Sequence, residues 1–231
     1  MISTVQKENT TMKRYNFTLT ELLVTIGIII ILAGLAIPAV LVAQQKGRVT
    51  AAKADMNAIL TALKGVEGTY HKMVNGGTSA KFVGKSAAPY PASNSVGIKL
   101  GGTDAVDAYD NFIVELSDPG HSDLQGGSPK KFVGNINRRK IKFLDPKSDY
   151  DPSETIGENS KKGNLWRDPW GNRYVLIINT DFSGKLPRPY DTSKFVAANA
   201  IMYSFGPDGE DNNGQSTDYD DNDGDDICSW R

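Results

Sequence analysis

The chain has 231 residues, enough for one ordinary domain plus extensions. Its formal net charge of −1 offers no global field for nucleic acid, and its single cysteine, Cys228, excludes an internal disulfide. The charge is unevenly placed: residues 208–226 hold nine acidic side chains and no Lys or Arg, leaving +8 on the rest.

In chain order, a basic stretch, MKRYN (12–16), precedes a run from Leu22 to Ala43 of 22 residues without a charge. A helix of that length reaches about 33 Å, against a hydrocarbon core of about 30 Å, and it exceeds the apolar region of a secretory signal. The run therefore predicts a retained membrane helix over 17–43. Gly27, Gly34 and Pro38 lie inside it, residues that membrane helices tolerate. Pro38 is expected to loosen the helix locally. Glu21 heads the run, and it requires either the interface or a cation from another chain. Basic residues flank both ends (Lys13 and Arg14, then Lys46, Arg48 and Lys53), so charge bias alone sets no orientation.

Apolar residues then recur at Val49, Ala52, Met56, Ile59, Leu60, Leu63, Val66 and Tyr70, in steps of three and four. This predicts an amphipathic helix over 44–70 that continues the span and packs on a domain formed by 71–231. One helix from Thr18 to Tyr70 would reach about 80 Å. The middle of the chain is loop-rich, with a short helix expected at YDNFIVEL (109–116) and a strand or extended piece at KIKFLDP (140–146). Strands are expected in NRYVLIIN (172–179) and NAIMYSFG (199–206), with turns at PWGN (169–172) and SGK (183–185).

The acidic segment follows. Nine carboxylates so close together repel unless they are solvated or neutralised, and a hard cation such as calcium takes six to eight oxygens. DYDDNDGDD (218–226) fails the EF-hand spacing, because Tyr219 stands where an Asp should precede Asp221, Asp223 and Gly224. No catalytic constellation is visible. His71 and His121 sit in no nucleophile or metal motif, and GKS (84–86) has Ser79 where a phosphate loop needs its first Gly. The chain is not expected to be an enzyme.

FTLTELLVTIGIIIILAGLAIPAV (17–40), with its basic leader, resembles the N-terminus of type IV pilins and type II secretion pseudopilins. The resemblance implies a leader, 1–16, removed by a prepilin peptidase between Asn16 and Phe17, with N-methylation of Phe17. Met12 offers an alternative start. The family has Gly before the cleavage point where this chain has Asn16. Glu21 would then be the assembly glutamate, pairing with the Phe17 amine of a neighbouring subunit. Such a pairing makes a desolvated carboxylate tolerable.

DPWGNRY (168–174) and YSFGPDG…DGDDICSW (203–230) resemble the two signature stretches of the major pseudopilin of type II secretion. Arg173 replaces the usual Pro, and the loop is longer by roughly ten residues, as judged against the family pattern. The resemblance implies a bound calcium held by the Asp208 and Asp226 side chains and by the carbonyls of Phe205 and Gly224. Asp225, Asp218, Asp220 and Asp221 are further candidates. A family hydroxyl ligand would fall at Cys228, whose thiol is a poor calcium ligand.

The expected fold is α+β and pilin-like: a long N-terminal helix on a small antiparallel sheet, closed by a calcium-type loop over 208–226. The implied function is a structural subunit of a type II secretion pseudopilus or a type IV pilus-like filament, supporting protein secretion. Its implied partners are further copies of itself, minor pseudopilins, an inner-membrane assembly platform and the prepilin peptidase. No nucleic acid is implied. The implied placement is a single pass of the inner membrane, leader in the cytoplasm and domain in the periplasm, with extraction into a filament. The alternative is a membrane-anchored periplasmic protein with a calcium-dependent binding role.

Overall fold

A computed structural model describes residues 18–74, 81–82, 85–86, 88–91, 96–102, 106–121, 124, 136–148, 153, 166–215 and 225–230, of which 81, 82, 85, 86, 106 and 107 are described in backbone only. The chain divides into two compact units, Met1–Lys46 and Gly47–Arg231.

Helix α1 (Leu19–Tyr70) has 52 residues and contains Pro38. In the first unit none of its described side chains is buried, and its apolar stretch is long enough to cross a membrane. Its start carries a feature the sequence reading missed. Thr18 and Glu21 form a capping box: the Thr18 amide donates to Glu21 Oε2 at 2.9 Å, and the Glu21 amide donates to Thr18 Oγ1 at 3.2 Å. The Thr-x-x-Glu spacing announces this arrangement, which satisfies two of the four orphan amides of a helix start.

In the second unit, α1 buries Ala52, Met56, Ile59, Ala62, Leu63 and Val66. That is the predicted stripe with Ala62 added, while Val49, Leu60 and Tyr70 pack at its margin. The stripe meets a five-stranded sheet in the order β3 (Ala88–Tyr90), β4 (Gly97–Leu100), β5 (Val175–Asn179), β8 (Ala200–Ser204), β9 (Ile227–Cys228). All neighbouring pairs are antiparallel. Two small hairpins complete the strands, β1 (Lys81–Phe82) with β2 (Lys85–Ser86), and β6 (Leu186–Pro187) with β7 (Phe195–Val196).

Side-chain alternation sends Ile98, Leu100, Leu176, Ile178, Met202 and Ile227 toward α1 and toward helix α2 (Val106–Ser117). Val175, Ile177, Ile201, Tyr203 and Cys228 face the other way, into a second cluster with Tyr90, Leu186 and Phe205. With both faces covered, β5 reads as a continuous apolar run.

Of the two alternatives expected at 140–146, a strand or an extended piece, the strand does not form. Lys140 has a φ of 53°, and the amides of Phe143 and Leu144 both donate to Leu116 O, at 3.0 and 3.1 Å. The segment is instead pinned to the end of α2. Asn137 fastens it further: its amide donates to Glu115 Oε1 at 3.0 Å, and its Nδ2 donates to the carbonyls of Glu115 and Ile141. Glu115 is 5% exposed, and burial pushes its carboxyl up to about 7 against the opposing pull of the Asn137 and Ile136 amides. A carboxyl raised on folding adds stability below its unfolded value and loses it as pH rises through about 7. Glu115→Gln should therefore stabilise the domain at pH 8, by up to about 3 kcal/mol, and change little at pH 4. Urea titrations at both pH values check this; an equal shift at both would contradict it.

Candidate metal centre at the C-terminal loop

The two stretches that resemble pseudopilin signatures lie side by side, joined by a chain of hydrogen bonds. Asp168 is buried, and its Oδ1 accepts from the amides of Trp170 (3.1 Å) and Asn172 (2.7 Å), closing the turn. Its Oδ2 accepts from Ser204 Oγ at 2.6 Å, and Ser204 Oγ accepts from the Gly206 amide at 3.2 Å. Asp168 thus ties the DPWGN turn to the start of the acidic loop. Gly206, with φ of 72°, lies so close to the returning chain that a Cβ would sit 2.5 Å from Asp225 O.

The loop's carboxylates divide. The Asp208 amide donates to Asp225 Oδ2 at 3.2 Å, and Asp208 Oδ1 accepts from the Glu210 amide at 2.8 Å. Asp226 is 1% exposed, and its Oδ2 accepts from the Gly214 amide at 2.6 Å. Asp211 accepts from Tyr203 Oη at 2.9 Å and from the Asn213 amide, and it lies 3.5 Å from Lys99 Nζ. Trp230 closes the base, its ring edge-on to Tyr203 with centroids 6.3 Å apart and its far edge against Gly214. The Cys228 thiol donates to Gly214 O at 3.2 Å.

Burial pushes the Asp226 carboxyl up to about 7, the Gly214 amide opposes this, and the negative charges of Asp211, Asp225 and Asp208 add to the rise. Burial and the Asp208 charge also raise Asp225, against the pull of the Asp208 amide. Among the described residues, Asp225 Oδ1, Asp226 Oδ1 and Asn212 Oδ1 are buried without a hydrogen-bond partner. Such oxygens are costly unless a proton or a cation satisfies them, and they are the hard donors that calcium prefers. The donor set therefore fits calcium in chemistry.

Of the sequence-predicted ligands, the structure brings Asp208 and Asp225 together and holds Asp226 separately on Gly214. Phe205 places its ring in the second cluster, 6.3 Å from Tyr203. Among the described residues no group of three or more His, Cys, Asp or Glu side chains converges as a metal cage. Gly224, Asp218, Asp220 and Asp221 lie outside the described residues, as do Asn16 and Phe17. Asn212 was not anticipated; its position between Asp211 and Gly214 in an acidic turn was the available signal.

Compared with protein-family models, curated proteins and solved structures, the chain matches none. The geometry defines a class: an α+β chain whose N-terminal helix is apolar and long enough to anchor in a membrane, with an antiparallel sheet packed on that helix's C-terminal half.

Proposed function

We propose that this chain is a structural subunit of a type II secretion pseudopilus or type IV pilus-like filament, a role that requires no catalysis. The observation that carries the reading is Glu21, a carboxylate heading a membrane-length apolar run and exposed within its own chain. In the proposed assembly, cleavage after Asn16 frees the Phe17 amine, and Glu21 of one subunit pairs with that amine on a neighbour. The filament stands on the inner membrane, with the domain in the periplasm. Minor pseudopilins, the assembly platform and prepilin peptidase are the proposed partners. Calcium, held by Asp208, Asp225 and Asp226 with the carbonyls of Phe205 and Gly224, offsets the charge at the base of the acidic loop and closes the domain; Asn212, Asp218 and Asp220 are further oxygen donors.

The capping box makes the test sharp. Gln at position 21 can still accept from the Thr18 amide, so Glu21→Gln keeps the helix start while removing the charge. Membrane cross-linking of subunits should give a ladder for the natural chain and lose it for Glu21→Gln, since removing one partner of a desolvated pair costs about 3–5 kcal/mol. A ladder of equal intensity in Glu21→Gln would leave Glu21 as a helix cap only. The orphaned oxygens of Asp225 and Asp226 would then favour the second reading, a membrane-anchored periplasmic protein with a calcium-dependent binding role.

A further inference from the structure

A turn at 138–142 presents Arg138, Arg139, Lys140 and Lys142, all exposed. Lys142 pairs with Asp145 at 2.9 Å, but among the described residues Arg138, Arg139 and Lys140 have no carboxylate partner. The Arg139 guanidinium lies over the Tyr70 ring at 5.9 Å. Lys72 and Arg138, with Tyr70 and Ile136, line a hollow of about 110 Å³ that extends the same basic surface.

The turn is rigidly held. Ile141 donates its amide to Asn137 Oδ1 at 2.9 Å, and Lys140 donates to Asn137 O at 3.0 Å. Tyr70 Oη donates to Asn137 Oδ1 and accepts from the Arg139 amide, fastening the turn to the end of α1. No basic residue occupies the last turn of α1, so its carbonyl end lowers the repulsion among cations brought there by another segment. Ordering the backbone during folding reduces what a partner must spend to dock on it.

We propose that this basic turn is a docking surface for the acidic segment, 208–226, of a second copy of the chain. Charge complementarity selects the occupant: the segment holds nine acidic residues and no basic one, and Asp208 and Glu210 stand exposed at its start. Within its own chain the described part of that segment leans elsewhere, on Lys99, Asn172 and Trp230. The docking deepens the filament reading and rests on it, because assembly supplies the second copy.

The test uses the full chain in bilayers of neutral phosphatidylcholine, with ordinary and 15N-labelled protein mixed. A carbodiimide joins lysine amines directly to carboxylates, and only peptides of mixed isotope are counted. Mixed links from Lys140, Lys142 or Lys72 to residues 208–226 are expected, falling as salt rises. Arg138→Glu/Arg139→Glu/Lys140→Glu should cut their yield roughly tenfold. Mixing that variant with Glu210→Lys/Asp223→Lys should restore coupling in the reversed sense. Unchanged thermal midpoints of both variants exclude unfolding. Links found only within one isotope, links to other segments, or a yield indifferent to reversal would overturn the docking. A Glu21-dependent ladder without these links refutes the docking alone, whereas loss of both ladder and links refutes the filament reading as well.

Discussion

Arg173→Ala should destabilise the domain Gly47–Arg231 by about 3–5 kcal/mol, the usual cost of stripping one partner from a buried ion pair. The Arg173 guanidinium meets Asp110 as a fork, Nε to Oδ1 and Nη2 to Oδ2, both at 2.7 Å. The Asp110 side chain on α2 is fully buried, so the carboxylate loses its cation without gaining water. Arg173→Lys keeps the charge but not the fork and should recover only part of the loss. Asp110→Leu/Arg173→Leu should be more stable than Arg173→Ala, because neither member of this pair is left without the other. Urea unfolding of the four proteins checks this, and a loss below about 1 kcal/mol for Arg173→Ala would place the domain's stability elsewhere. The pair also explains the departure at this position. Where the resembling signature has Pro, this chain uses the side chain to bolt α2 onto the segment entering β5.

The thermal midpoint of the same domain should rise on adding calcium at pH 8, and rise far less at pH 5. Asp226 has its carboxyl pushed up to about 7 by burial, above the 3.8 of an ordinary aspartate. A raised carboxyl stabilises the fold below its unfolded value, and that contribution disappears as pH rises through about 7. Without an ion the domain should therefore lose on the order of 4 kcal/mol from this group between about pH 3 and about pH 8. Calcium relieves the same burial by neutralising the carboxylate, and at 100 times its dissociation constant it contributes about 2.7 kcal/mol. For a domain of this size that is a shift of about 5–10 °C. Protons compete for the oxygens at pH 5, so the gain shrinks. Asp226→Asn should flatten both the pH dependence and the calcium response. Identical midpoints at pH 8 with calcium and with chelator would remove the metal from the loop.

Local pattern made half of this molecule legible. Steps of three and four from Val49 to Tyr70 describe the face that α1 buries, because helical periodicity is a property of neighbours in sequence. The same holds for β5, β8 and α2, whose apolar residues lie within a few positions of one another. β3 and β4 escaped notice in the loop-rich middle. They have three and four residues, and β4 begins at a glycine packed against Ile178 O, so their pairing with β5 carries the information that their composition lacks. At 140–146, where a strand or an extended piece is expected, no strand forms for the converse reason: its apolar content is genuine, but Asn137 and the Leu116 carbonyl take its backbone bonds.

The site divides in the same way. Sequence alone determined the uncharged run with Glu21 at its head and the crowding of nine carboxylates near the C-terminus, because both are linear densities of charge and hydropathy. Only the tertiary structure decided which carboxylates are buried, that Asp168 reaches Ser204, and that Arg173 answers Asp110 across 63 positions. Desolvation and ion pairing depend on distance in space, and a chain sets those distances only once its sheet has brought the two signature stretches together.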